Sequence, residues 1–299
     1  MSAPERPSGA PGPSFAPAFA PAFAGGWLLS RWLFALAALH AHLRRAVDLQ
    51  DAFFAPDISF GSGPLHLGGA VHFGAPTAGL LWLAGLVGLG LLLRGGRAAK
   101  PGLLLWLACT LALIAGGGLL VRVAERFTVW ASLVLLLAPI DQPDLLQRPR
   151  STFPRAVLLV IFGSLYLSTG LMKALEEPRW WDGVALQYDL LDRHHAGGAL
   201  AAALSGQPAL VRPMAWFTLA FELGFVPLMF SRRLRGPTLL AGVLMHVGIG
   251  VLMKVGALGE VALALYPALL HPDEAAALWA RFGPRLPAGL RRRLGAPQN

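Results

Sequence analysis

The chain has 299 residues, of which 55% are apolar and only 14% are Asp, Glu, Lys or Arg, against about a quarter charged in soluble domains. A mean hydropathy of +0.57 over the whole length excludes a soluble enzyme and a disordered regulator. The net charge of +9 sits in short clusters between long apolar runs, which is the pattern of membrane loops rather than of a nucleic-acid-binding surface.

In chain order, residues 1–25 form a Pro/Ala-rich tract that cannot build a core and is expected to be a flexible tail. It lacks a basic stretch leading into a compact apolar one, so no cleaved signal peptide is expected. From Trp27 onward apolar stretches alternate with short polar breaks. Since about 20 apolar residues cross a bilayer as a helix, helices are expected near 27–47, 76–93, 101–121, 127–140, 154–173, 213–231, 237–255 and 257–270. The fourth and eighth are short. The expected fold class is therefore all-α: a polytopic integral membrane bundle of about eight transmembrane helices over 26–271, followed by a basic tail over 272–299. The lone Cys109 lies in an apolar run and reads as a small buried hydrophobe.

Four basic clusters fix an expected orientation. Arg94, Arg97 and Lys100 fill one connection, Arg148, Arg150 and Arg155 a second, Arg232, Arg233 and Arg235 a third, and Arg291, Arg292 and Arg293 the tail. Placing all four inside makes the helices alternate and both termini cytoplasmic. Two long outer segments remain. Residues 48–75 carry Asp48, Asp51, Asp57, His66 and His72; residues 174–211 carry Trp180, Trp181 and the pair His194–His195. Long connections without intrinsic structure are often functional, so chemistry is expected on the outer side.

Ionisable groups inside a membrane helix are functional candidates by default. Glu222 lies mid-helix in the sixth span and His246 mid-helix in the seventh, while Lys173 and Lys254 sit at outer helix ends. Only three of the 25 basic residues are lysine. A desolvated lysine can become a base near neutral pH, which arginine cannot; the plainer alternative is a lysine that reaches out to the headgroups. Tyr166, Thr169, Gly170 and Lys173 share one helix stripe, which is either a ligand-facing or a packing seam. Glu222 and His246, at one depth, could relay a proton, orient a ligand or neutralise each other. His40 and His42, two apart, face different ways, and a bis-histidine haem would need His40 opposite His246. Trp180 and Trp181 read as an interfacial belt ahead of a turn at Asp182–Gly183. His194–His195 reads as solvated. No phosphate-binding loop, dinucleotide fingerprint, zincin motif or nucleophile elbow is present, and no metal is expected.

The run Tyr166-Leu-Ser-Thr-Gly-Leu-Met-Lys173, followed by Trp180-Trp181-Asp182-Gly183, resembles a hallmark of the horizontally transferred transmembrane domain (HTTM) proteins, which are related to the membrane part of vitamin K-dependent gamma-carboxylase. Phe221-Glu222-Leu223 with Pro227, and Met245-His246-Val247-Gly248, resemble that family's next helices. The resemblance runs loosely from Trp27 to His271, with its specific part in 160–255. It implies a membrane enzyme of the carboxylase/epoxidase type, with reduced vitamin K (a menaquinol-type quinol) as cofactor. In that chemistry a membrane lysine deprotonates the quinol, which reacts with oxygen to form a strong base. By matching position, Lys173 would be the catalytic lysine, and Tyr166, Gly170, Trp181, Glu222 and His246 would surround the cofactor. The chain departs from the carboxylase in ending about 28 residues after His271, and in showing Glu125-Arg126 where the carboxylase has an Asn-His pair. Grip on a secreted Glu-rich protein is therefore not expected.

Three readings stand at this point: a membrane enzyme using a quinol with Lys173 as base, a non-catalytic HTTM module binding lipid, quinone or a partner protein, and a small proton-coupled transporter using Glu222 and His246. Against transport, the chain shows no duplicated halves. The expected location is a bacterial cell (inner) membrane, with the lipid bilayer as surroundings, no nucleic-acid partner and no protein partner assigned.

Overall fold

The computed structural model describes residues 25–54, 74–116, 123–141, 153–192, 197–255 and 257–285. Among them the chain is helical throughout, with no strand: α1 (Gly25–Phe54), α2 (Ala75–Arg94), α3 (Ala99–Gly116), α4 (Val123–Leu137), α5 (Phe153–Leu171), α6 (Val184–Leu191), α7 (Ala199–Ser205), α8 (Pro208–Phe230), α9 (Arg235–Leu252), α10 (Leu258–Leu269) and α11 (Pro272–Phe282). Five segments are long and apolar enough to cross a membrane: Pro76–Arg94, Gly96–Ala115, Phe153–Glu176, Pro208–Phe230 and Arg235–Leu252. The chain is a multi-pass membrane protein whose described residues form helices and no strand.

Their outward faces explain the excess hydropathy. Leu240, Leu244, Val247 and Val251 run as one exposed apolar stripe down α9, while Leu239, Gly242, Met245 and His246 on its other side are buried. In water such stripes would be aggregation surfaces; against acyl chains they cost nothing. Helices approach closely where glycines meet. Gly88 of α2 and Gly102 of α3 each lie so near the other's backbone that a Cβ would come within 2.7 Å of a carbonyl oxygen, the small-residue seam usual in membranes.

All eight segments expected from hydropathy form helices, with three differences. The helix expected at 213–231 begins at Pro208, because a proline in the first turn lacks only an N–H that has no helical partner there; Pro213 is absorbed inside it. The 174–211 connection, expected as a long loop, is largely helical over its described residues. Its runs VALQYDLL and ALAAALS, too short to cross, fold as α6 and α7 and bury Leu190, Ala201 and Val211 with Trp180 and Leu219. The basic tail opens as α11, which is tied to the bundle by Glu274: one oxygen accepts from Arg235 at 2.9 Å and the other from the His271 backbone N–H at 2.8 Å. Asp57, His66, His72, Arg148, Arg150, His194, His195 and Arg291 to Arg293 lie outside the described residues.

At the centre stands α10. With 12 residues it rises only about 18 Å, and it packs against α1, α4, α5 and α9. Eight of its side-chain positions are buried, four of them Ala or Gly, so its neighbours close in around it. The fully buried rings of Phe34, Phe162 and Phe225 complete this core.

Candidate functional site

The site is assembled where α5 ends. Its last α-turn at Leu171 gives way to a π-helical turn over Met172–Glu176, a widening of the helix that is frequent at functional sites. The chain then turns sharply through Pro178–Trp180. At Gly183 (φ 82°) the backbone enters the left-handed region, and a Cβ there would fall 2.8 Å from the Arg212 backbone. Asp182 Oδ1 accepts from the Val184 N–H at 3.0 Å and seats the first turn of α6. These turns fold Trp180 back beneath the helix end, where its Nε1 donates to Glu177 at 3.2 Å and its ring lies buried.

Lys173 projects from the π turn toward α8. Its Nζ donates to Glu222 Oε1 at 2.5 Å and stands 4.7 Å from the centre of the Trp180 ring. The pair is largely withdrawn from solvent, with side-chain exposures of 18% for Lys173 and 8% for Glu222. Gly170 makes the approach possible: a Cβ at that position would sit 3.0 Å from Glu222 Cβ and 3.1 Å from Leu223. The second carboxylate oxygen of Glu222, Oε2, is buried and has no hydrogen-bond partner among the described residues.

Two turns deeper on the same stripe, Tyr166 joins a second polar unit. Its hydroxyl lies 2.7 Å from His246 Nε2 on α9 and 2.9 Å from the Tyr266 hydroxyl on α10. With Nε2 as the acceptor nitrogen of a neutral ring, Tyr166 donates to His246 and accepts from Tyr266. Phe221 and Phe225 pack around Tyr166 at ring distances of 5.1 and 4.7 Å. Gly242 leaves the space that Tyr266 fills, since a Cβ there would overlap the phenol.

Both polar units face one cavity of about 240 Å³, whose remaining walls include Leu186, Met245, Ile249 and Leu258. Such a space, mostly apolar with a few convergent polar groups, is the usual form of a small-molecule site. Tyr166, Lys173, Glu222 and His246 all line it. Gly170 does not line it but sets the α5–α8 spacing behind it. Trp181, expected beside the cofactor, lies elsewhere: its ring is half exposed, its Nε1 donates to the Ala174 carbonyl at 2.9 Å, and its own carbonyl accepts from Trp216. Its neighbour Trp180 holds that place, because the tight turn after Glu177 points adjacent side chains in opposite directions. Glu222 and His246 share the cavity but bond to different partners. His40 pairs with Glu260 at 2.7 Å and does not face His246. Lys254 is exposed beyond the end of α9.

Two participants are not among the expected site residues. Trp180 reads in the sequence as an interfacial aromatic and as part of the family-like run, not as a wall of the site. Tyr266 left a faint signal, as one of three tyrosines in the chain and the only phenol in the helix that became α10.

Comparison of the chain with known protein families, with curated proteins and with solved structures finds no match.

Proposed function

We propose that the chain is a membrane enzyme of the HTTM type, with about eight transmembrane helices, the short α4 and α10 counted as incomplete spans, and both termini on the cytoplasmic side of a bacterial cell membrane. Its outer cavity binds a quinol-type molecule and takes a proton from that molecule's hydroxyl. The observation that carries this reading is the Lys173–Glu222 pair, held at 2.5 Å on the wall of a largely apolar cavity that also contains Tyr166 and His246. The orientation rests on the arginine-rich α2–α3 and α8–α9 connections, placed inside by their charge.

A quinol would supply reducing equivalents, and oxygen is the oxidant that the likeness to the carboxylase implies. The protein's part is proton handling and orientation. Lys173 and Glu222 share one proton. With that proton on Glu222, Lys173 is a neutral amine and accepts the ligand's hydroxyl proton, becoming an ammonium beside the negative charge left on the ligand. The Trp180 face holds that ammonium in place. The Tyr266–Tyr166–His246 chain offers a second hydrogen-bonding point for a ligand with oxygens on both sides of a ring. The walls from α6, α9 and α10 are mostly apolar.

One observation favours the second reading, a non-catalytic binding module: Lys173 rests as a closed ion pair rather than as a free amine. The same experiment separates the two. Protein in detergent is titrated with a reduced menaquinone analogue, wild type beside Lys173→Ala and Lys173→Arg. Saturable binding and oxygen-dependent epoxide formation in wild type, with turnover absent from Lys173→Arg because arginine keeps the charge and cannot act as a base, supports the enzyme. Binding without turnover supports the module. Absence of binding removes the quinol from both.

A further inference from the structure

Away from Lys173, the other end of the bundle is fixed by contacts between helix ends. Arg155, in the first turn of α5, donates Nε to the Leu269 carbonyl at the end of α10, at 3.1 Å. Arg235, at the start of α9, donates Nε to the Met229 carbonyl near the end of α8, at 3.0 Å. The membrane-length segments Phe153–Glu176, Pro208–Phe230 and Arg235–Leu252 therefore begin or end at the level where α10 stops. The chain enters α11 at Pro272, directly beyond that point, so α11 starts at the rim of the hydrocarbon layer.

The first turn of α11 is held on the bundle. Glu274 bonds to Arg235, and Ala275 is buried. Past Ala275 the same helix face continues as Leu278 and Phe282, three and seven residues on, and there both side chains are 45% exposed. Arg281 and Arg285 are exposed too, with their guanidinium carbons 5.4 and 5.8 Å from the centre of the Phe282 ring. Both acids of the helix are engaged at its other end, Glu274 by Arg235 and Asp273 by His271 at 3.3 Å. Arg232 and Arg233, in the connection that leads into Arg235, are also exposed. Over 281–299 the sequence carries five arginines and no acidic residue.

An uncovered apolar strip edged by cations is the pattern of a helix lying in a membrane interface, and basic clusters next to a membrane span are drawn to anionic headgroups. Position selects this occupant over a soluble partner. Its short link to α10 keeps the strip at the lipid edge, where phospholipid already stands.

We propose that α11 is an interfacial helix that docks on anionic phospholipid, with Leu278 and Phe282 sunk to the acyl boundary and Arg281 and Arg285 on phosphates. The inference does not depend on the quinol reading.

The test uses the full chain carrying Cys109→Ala, one copy per lipid nanodisc. A nitroxide is attached through Leu278→Cys or, for comparison, through Ala277→Cys, an exposed position on another side of the same turn. The discs contain phosphatidylcholine alone or equal parts phosphatidylcholine and phosphatidylglycerol. Collisions of the nitroxide with a neutral nickel chelate report water, and collisions with oxygen report acyl chains. In anionic discs, nickel accessibility at 278 is expected to be about five-fold or more below that at 277. It is expected to rise several-fold in neutral discs, and likewise in anionic discs after Arg281→Gln with Arg285→Gln. The change of lipid needs no substitution beyond the label, so it tests the proposal even if the arginine variant is poorly folded. Equal accessibility at 277 and 278 in anionic discs overturns the proposal, because the helix then stands in water. Low accessibility at 278 that is the same in both lipids overturns it as well, because the cover is then apolar packing, against protein or acyl chain, without a role for the headgroup charge.

Discussion

Loss of one partner from the Lys173–Glu222 pair is expected to have unequal costs, depending on which partner goes. Glu222 is 8% exposed and sits on α8 with one oxygen already unpartnered. Lys173→Met therefore leaves a largely buried carboxylate without its cation, and breaking a buried pair in this way costs up to about 3–5 kcal/mol. Lys173 is 18% exposed at a helix end and rests on the Trp180 ring. After Glu222→Gln the ammonium keeps an amide oxygen and a ring face, the latter worth about 2 kcal/mol when desolvated, so this loss is expected to be about 1–2 kcal/mol. The double variant removes both charges and should recover part of the Lys173→Met loss, giving a coupling of about 1–3 kcal/mol. Thermal unfolding of the four proteins in identical nanodiscs reads this directly, at roughly 2–4 °C per kcal/mol for a domain of this size. Equal losses for the two single variants, or strictly additive losses in the double, would refute the pairing on which the site is built.

Other consequences follow from the same geometry. Tyr166→Phe removes the hydroxyl that serves both His246 and Tyr266 and should cost about 1–3 kcal/mol, whereas Tyr266→Phe leaves the Tyr166–His246 bond intact and should cost less in the same unfolding assay. Gly170→Ala places a methyl 3.0 Å from Glu222 Cβ and should destabilise by about 1–3 kcal/mol; at Gly248, where a Cβ meets nothing within 4 Å, alanine should be neutral or stabilising by up to about 1 kcal/mol. With Cys109 replaced by alanine, a cysteine at position 176 should react with a membrane-impermeant maleimide added outside intact cells, and one at position 232 only after lysis; the reverse pattern would invert the topology.

Hydropathy carried the helices well, because lipid imposes the same demand on every span. It failed over 174–211, where α6 and α7 are too short to register as crossings and are held by burial against α8. Helical spacing placed Tyr166 and Lys173 on one stripe with Gly170 between them, and span positions put Glu222 and His246 at one depth. Spacing could not say which side chains bond across helices. Whether Glu222 meets His246 or Lys173 depends on the rotation of α8 and on the π turn, and neither is written in any single segment. The choice between Trp180 and Trp181 depends on one tight turn in the same way.

The central position of α10 also has a consequence for how this protein is made. Its 12 residues are too few to cross a bilayer alone, and its sides are covered by four other helices. It gains its stability by docking, so the cleft that receives it must be formed by α1, α4, α5 and α9, all of which are synthesised first. Tyr266, Leu258, Gly259 and Ala262 of that helix border the candidate site. The cavity beside Lys173 and Glu222 is therefore not closed until α10 has been translated and seated. A chain stalled before residue 258 would hold Lys173 and Glu222 without the side of their cavity that α10 supplies.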